Sequence, residues 1–362
     1  MFTKMLLLLL AFCTLSAGFA SEKLIIAHRG ASGYLPEHTL ESYTAAYFMN
    51  ADYIEQDVVM TRDNQLVLLH DIFLDRVTDA AFKFPNRFRI EADGSKRWRV
   101  IDFTLAEIKK LNVTTGFRTT DAPTKQHDRS QTTAIWPERF PIWKSGFRVA
   151  TLAEAIELIQ GLNKATGRNV GIYPEVKNPS QFLIEGKDIS LAVLKELKKY
   201  GYHKKSDKIF IQCFNPIETR RIAEELLPKL GMELNVIQLI AKTSWNESYS
   251  IIDGKLIPYD FGWMLEKGGM KKIAEYADGI GPWKSFLLDT KQSARTGLTL
   301  LPMISEAKKL GLKVHPYTFR ADEGRILTPA KDFEDMVSMF FYDIGVDAVF
   351  TDFPDRAHKV RR

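Results

Sequence analysis

Eight apolar runs, separated by helix-patterned segments, constrain this chain more than any other feature. They begin at Leu24, Tyr53, Val170, Lys208, Val236, Gly279, Lys313 and Ala348. From residue 151 onward the alternation is regular. The spacing predicts helix Leu152–Leu162 before strand Val170–Val176, and helix Lys187–Tyr200 before strand Lys208–Phe214. Helix Pro216–Leu227 then precedes strand Val236–Ala241. After an irregular stretch, Thr243–Tyr259, come helix Gly268–Ala277, strand Gly279–Trp283, helix Pro302–Leu310, strand Lys313–Phe319, helix Asp332–Tyr342 and strand Ala348–Asp352. Strands that alternate with helices imply a parallel sheet with crossover connections. Eight such units imply an α/β fold closed into a (β/α)8 TIM barrel. An open doubly wound sheet would normally carry a glycine-rich phosphate loop after the first strand, and that pattern is missing there.

Two segments stand outside the repeat. Residues 1–20 read as a signal peptide: Lys4, the apolar run Leu6–Phe12, and Gly18-Phe19-Ala20 before a cleavage point at Ser21. The apolar run is too short for a transmembrane helix. Bulky Phe12 argues against lipidation at Cys13. Cleavage leaves Cys213 alone, so no intrachain disulfide is available. The expectation is an exported, periplasmic protein of bacterial type without stable membrane insertion. Residues 72–148 read as a small irregular insertion after the second strand. It is rich in aromatic residues, among them Phe82, Trp98, Trp136 and Trp143. A formal net charge of +5, with both signs interspersed, does not suggest nucleic acid as a partner. Oligomeric state is left open, a homodimer included.

In such a barrel, chemistry sits at the C-terminal ends of the strands. Those ends carry His28-Arg29, Glu55 and Asp57, Glu175 and Lys177, Gln212 and Phe214, Trp283, His315, Tyr317, Phe319 and Asp352. Glu55 and Asp57 lie two apart on one strand. They share a face, with a rise of roughly 6.6 Å between them. With Glu175 on the next parallel strand, three carboxylates converge in an apolar setting, where they repel one another. A hard divalent cation, Ca²⁺ or Mg²⁺, resolves that conflict. The alternative is pairing with Arg29 or Lys177 and no metal. His28 and His70 sit at neighbouring strand ends and can divide general acid and base work. The alternative for either is a structural strand-end histidine. His38 would orient another group, and His315 would pack. Arg29 and Lys177 either bind an anionic substrate or neutralise the carboxylates. Phe214, Trp283, Tyr317 and Phe319 line a pocket for an apolar or glycerol-sized group, or belong to the core. Cys213 faces the helices as inert core.

Taken in order, His28-Arg29-Gly30, Pro36-Glu37-His38-Thr39, Glu55-x-Asp57, His70-Asp71, Glu175-Val176-Lys177 and Gln212-x-Phe214 resemble the glycerophosphodiester phosphodiesterase family. The likeness is greatest to its periplasmic bacterial branch and spans Leu24 to Pro354. Many members carry Asn where His38 stands. The resemblance implies a TIM barrel with a small insertion. It implies metal ligation by Glu55, Asp57 and Glu175, usually of Ca²⁺, and an acid–base pair of His28 and His70. From their places at the strand ends, Arg29, Lys177, Gln212, Phe214, Trp283 and Tyr317 are expected to contact the substrate. The implied reaction hydrolyses small glycerophosphodiesters, such as glycerophosphocholine, to sn-glycerol 3-phosphate and an alcohol. Two other readings stay open: a phospholipase D-like lipid phosphodiesterase of the same barrel superfamily, and a non-catalytic surface binding protein.

Overall fold

Runs that are apolar along their whole length become strands covered on both faces. Every residue of Tyr53–Met60 and of Gly171–Val176 is buried. The structure, a computed structural model, describes residues 22–119 and 129–362. The predicted signal peptide therefore lies outside the described residues. Eight strands follow one another around the sheet in chain order: Leu24–Ala27, Tyr53–Met60, Gly171–Val176, Phe210–Cys213, Asn235–Ile240, Gly279–Pro282, Lys313–Val314 and Ala348–Thr351. The eighth pairs in parallel with the first. The seam between the seventh and eighth is held by Asp347 N donating to Val314 O (3.0 Å) and Phe350 N donating to Pro316 O (3.1 Å). The barrel expected from the sequence is thus closed.

The inside of the barrel is layered, and the layering positions the site. Ile26, Tyr53, Tyr173, Phe210, Ile237, Ala348 and Phe350 form one interior cluster. The Tyr173 and Phe210 rings stack at 5.0 Å, and Phe350 meets Tyr173 edge-on at 5.0 Å. His315 is fully buried and bonds through Nδ1 to the Tyr173 hydroxyl at 2.9 Å, so it is a packing residue as expected. Side chains along a strand alternate with a period of two. The positions two beyond this aromatic layer are His28, Glu55, Glu175, Gln212, Leu239 and Asp352. A dry floor of rings therefore carries a layer of ionisable groups.

Helix starts follow their caps. Thr39 accepts from Ser42 N, and Thr104 and Thr151 each form a reciprocal capping box with the glutamate three residues on. The long helix after Thr151 runs to Thr166, where Gly167 ends it in the left-handed conformation. Other details depart from the pattern. The seventh strand is only Lys313–Val314, because Pro316 brings no N–H to continue a ladder. The stretch 243–259 is not irregular. It holds a hairpin of Tyr249–Ile252 with Lys255–Pro258, turned by Asp253 and Gly254 at positive φ. Residues 72–148 contain two further small hairpins and the short helix Leu105–Ile108. Cys213 is buried in the outer cluster, behind the barrel wall.

Candidate active site

The site begins where the first strand ends. After His28 the chain turns sharply through Arg29 (φ 60°) and Gly30 (φ 87°). A Cβ at Gly30 would lie 2.5 Å from Ser42 Oγ and 2.9 Å from the Ser42 carbonyl carbon, so only glycine allows the turn. The turn delivers Arg29 N to Glu55 Oε2 at 2.7 Å. Asp57 Oδ2 bonds to His38 Nε2 at 2.8 Å and lies 3.3 Å from Arg29 Nε. His38 Nδ1 in turn meets the Tyr43 hydroxyl at 2.8 Å. Glu175 Oε1 lies 2.8 Å from Lys177 Nζ, which is also 3.8 Å from Asp57 Oδ1.

These groups are buried, and their protonation reflects it. Burial, and then the charge of Asp57, push Glu55 well above the usual carboxylate range. Burial also acts upward on Asp57, but Lys177 and the His38 hydrogen bond hold it well below that range. Burial raises Glu175 to about 8 against the pull of Lys177. These three neighbouring acids thus do not all ionise equally, as crowded carboxylates require.

Both predicted histidines are held at Nδ1 by a carboxylate. His28 Nδ1 meets Asp352 Oδ1 at 2.7 Å, and His70 Nδ1 meets Asp71 Oδ1 at 2.8 Å. This leaves Nε2 of each ring for reaction, in the tautomer that the carboxylate selects. Asp352 Oδ2 also accepts from Arg139 (2.6 Å) and Arg320 (2.8 Å). Arg139 comes from the insertion. Burial, and then Arg29, lower His28 to about 3 although Asp352 opposes them, so the ring is neutral near pH 7.

A cavity of about 340 Å³ opens over this layer. Its walls include His28, Arg29, Glu55, Asp57, His70, Glu175, Gln212, Phe214, Trp283 and Tyr317, all singled out from the sequence. Lys177 lies buried behind them, paired with the carboxylates. For Phe319 the core alternative holds: it is fully buried and packs edge-on against Phe340 at 4.8 Å, and it is not a cavity wall. Sequence reasoning gave no role to Asp352 or Arg139, nor to Trp245, Glu247, Lys284 and Arg320, which also line the cavity. Asp352 was legible as the polar end of the eighth strand. A second basin of about 180 Å³ shares His28, Arg29, His70 and Arg320 and is walled by Trp136 and Arg139 of the insertion.

The donor set suits a hard cation. Asp57 Oδ1 is a buried oxygen without a hydrogen-bond partner. His38, Glu55 and Asp57 offer ligand atoms within 4.8 Å of one another. Among the described residues that cluster does not include Glu175, whose carboxylate is turned to Lys177. The third ligand expected from the sequence thus faces the same cavity but stands apart from the first two.

Two expected results follow from these contacts. Asp352→Ala removes the carboxylate shared by His28, Arg139 and Arg320, while Arg139 keeps both of its contacts to Asp322. It should cost about 1.5–3 kcal/mol in denaturant unfolding, the scale of hydrogen bonds to a charged group, as well as lowering turnover. The second concerns acid. Burial lowers His315 to about 4, as it lowers His28 to about 3. At these two histidines the unfolded chain binds protons between pH 6.5 and 4 that the native chain refuses, so their contribution to stability falls as pH falls. His315 alone accounts for about 3 kcal/mol, at about 1.4 kcal/mol per pH unit. Glu55 and Glu175, held above the usual carboxylate range, act in the opposite sense, so the test is a difference: on acidification across this window the melting temperature of His315→Asn should rise relative to that of wild type.

A barrel whose mouth gathers paired histidines, buried carboxylates and basic groups defines a hydrolase that works on a phosphorylated small molecule. Residues 28–356 match the Glycerophosphoryl diester phosphodiesterase family. A glycerophosphodiester phosphodiesterase of Haemophilus influenzae is 46% identical over 336 residues, covering 92% of this chain and 88% of the relative. One of Treponema pallidum is 43% identical over 345 residues, covering 95% and 93%. Among solved structures, an Oleispira antarctica phosphodiesterase in complex with the product sn-glycerol-3-phosphate superposes with a TM-score of 0.58. It is 20% identical and covers 94% of this chain and 96% of its own. A glycerophosphodiester phosphodiesterase from Agrobacterium tumefaciens gives 0.53 at 19% identity, covering 93% and 100%. The chain belongs to the glycerophosphoryl diester phosphodiesterase family, and it is an enzyme of that activity.

Proposed function

We propose that this phosphodiesterase depends on a divalent cation and on His28 and His70. In this reading it cleaves small glycerophosphodiesters, glycerophosphocholine among them, to sn-glycerol 3-phosphate and an alcohol. The observation that carries the proposal is the matched pair of histidines. Each is fixed at Nδ1 by a carboxylate, and both line one cavity beside Glu55 and Asp57.

Glu55 and Asp57 would hold the cation, with Glu175 closing the set as the family resemblance implies, and His38 keeping Asp57 in place. Bound there, Ca²⁺ (or Mg²⁺) supplies polarisation of a phosphoryl oxygen. His28 is neutral near pH 7 and takes the proton of the attacking hydroxyl at Nε2. Asp352 holds that ring in the base tautomer and stabilises the imidazolium that forms. His70 delivers a proton to the leaving alkoxide. Arg29 and Lys177 offset the charge that builds on the phosphate. The pair serves water attack and attack by a glycerol hydroxyl equally well; a cyclic phosphate trapped in a rapid quench would identify the latter. The leader pattern in residues 1–20 supports export to the periplasm. Release of glycerol 3-phosphate from glycerophosphocholine, coupled to its oxidation and run with and without Ca²⁺, tests the whole. Choline appearing without glycerol 3-phosphate would overturn it, as would hydrolysis of the diacyl lipid in preference to the soluble diester.

A further inference from the structure

Lys284 follows the sixth strand by two residues and is 5% exposed. Its Nζ donates to the Thr318 carbonyl at 2.7 Å. Among the described residues no carboxylate forms an ion pair with it. Burying an ammonium without a counter-ion is costly, and folds rarely keep one unless something supplies the charge. Its neighbours make the imbalance worse. Arg320 and Arg325 line the same cavity wall. Asp352 is the acidic group that acts on it, and it is already committed to His28, Arg139 and Arg320; Glu247, which also lines the cavity, acts on Glu175 and Lys177 instead. Burial first, and then Arg320, draw the Lys284 ammonium down to about 7. Arg325 is exposed, lies 4.9 Å from the Trp136 ring, and forms no ion pair among the described residues.

The cavity is therefore two-sided. Glu55, Asp57 and Glu175 stand on the second and third strands, with Arg29 and Lys177 against them. Lys284, Arg320 and Arg325 stand after the sixth and seventh. The scissile phosphate belongs to the first wall, beside the histidines. The basic wall is then left for a second anionic group. Glycerol has none, so that group must be on the alcohol.

We propose that Lys284, assisted by Arg325, forms a subsite for an anionic group, a carboxylate or a phosphate, on the leaving alcohol of the diester. The subsite selects acidic head groups over zwitterionic or cationic ones. It rests on the placement of the phosphodiester given above, and not on which histidine moves which proton.

Glycerophosphoserine and glycerophosphoethanolamine differ by one carboxylate and form the test pair. The wild-type enzyme should have the higher kcat/KM for the serine diester. Lys284→Gln should lower that value by roughly tenfold, mostly through KM, the scale of one charge-assisted hydrogen bond. The ethanolamine diester should lose much less, and Lys284→Arg should keep most of the preference. Arg325→Gln, at an exposed position, should shift the ratio the same way by a smaller factor. It decides the matter if melting curves show that Lys284→Gln does not fold. Equal losses with both diesters would overturn the proposal and place glycerol against Lys284. An unchanged ratio, or a wild-type enzyme indifferent to the carboxylate, would overturn it too. Full activity in His28→Ala would sink the acid–base roles yet leave the head-group ratio standing, so the two failures are separable.

Discussion

His28→Ala and His70→Ala should each lower kcat by about 10²–10⁴-fold while their melting curves stay close to wild type. The argument rests on what each ring holds. His28 takes one oxygen of Asp352, and the other oxygen keeps its two arginines when the ring is removed. His70 is half-buried at the cavity edge and bonds to Asp71, which retains Arg76. Neither deletion leaves a buried charge alone, so the fold survives and the chemistry does not. The double variant should be little worse than the poorer single one, because the two act as one relay. Rates come from the coupled assay of glycerol 3-phosphate. Wild-type turnover by either single variant would remove that histidine from the mechanism.

Chelation should abolish turnover, and Ca²⁺ should restore it. The same cation should raise the melting temperature, since whatever binds the native state alone stabilises it. The gain is about 2.7 kcal/mol at a hundred times the dissociation constant. Asp57→Asn should lose both responses. Asp57 offers the one buried carboxylate oxygen of this set that lacks a hydrogen-bond partner, and it anchors the cluster with Glu55 and His38. Activity untouched by a chelator, with a melting temperature indifferent to Ca²⁺ and Mg²⁺, would count decisively against a metal-dependent reaction.

Strand periodicity made most of this site legible. Glu55, Asp57, Glu175 and Gln212 stand out because ionisable or amide groups end otherwise apolar runs, and closure of the barrel brings those ends together. Contacts made by the insertion were not legible. Arg139 is one of many basic residues between 72 and 148, and nothing in its neighbours marks it as the partner of a strand-end aspartate 213 residues later. Asp352 was visible at its strand end, but its role depends on His28, which lies at the far end of the chain. Phe319 was left between pocket and core for a related reason. Pro316 breaks the seventh strand, so the alternation that would have aimed the ring inward does not continue to it. The hairpin around Asp253-Gly254 was missed although its turn signal is strong. Local periodicity thus yields faces and ends, whereas pairings between distant segments need the closed barrel.

The bond between His28 and Asp352 joins residues 324 apart, across the seam where the first strand meets the last. Contacts of such span form late, after the intervening chain has been made and gathered. A nascent chain that has emerged as far as Gln212 already contains His28 and His70, Glu55, Asp57 and Glu175, and Arg29 and Lys177. It still lacks Asp352, the carboxylate that holds His28 Nδ1, which follows much later in the chain. On the proposed roles, the order of synthesis would keep the enzyme silent until its eighth strand is in place, and a chain that stops before residue 352 should be an inert fragment instead of an unregulated hydrolase.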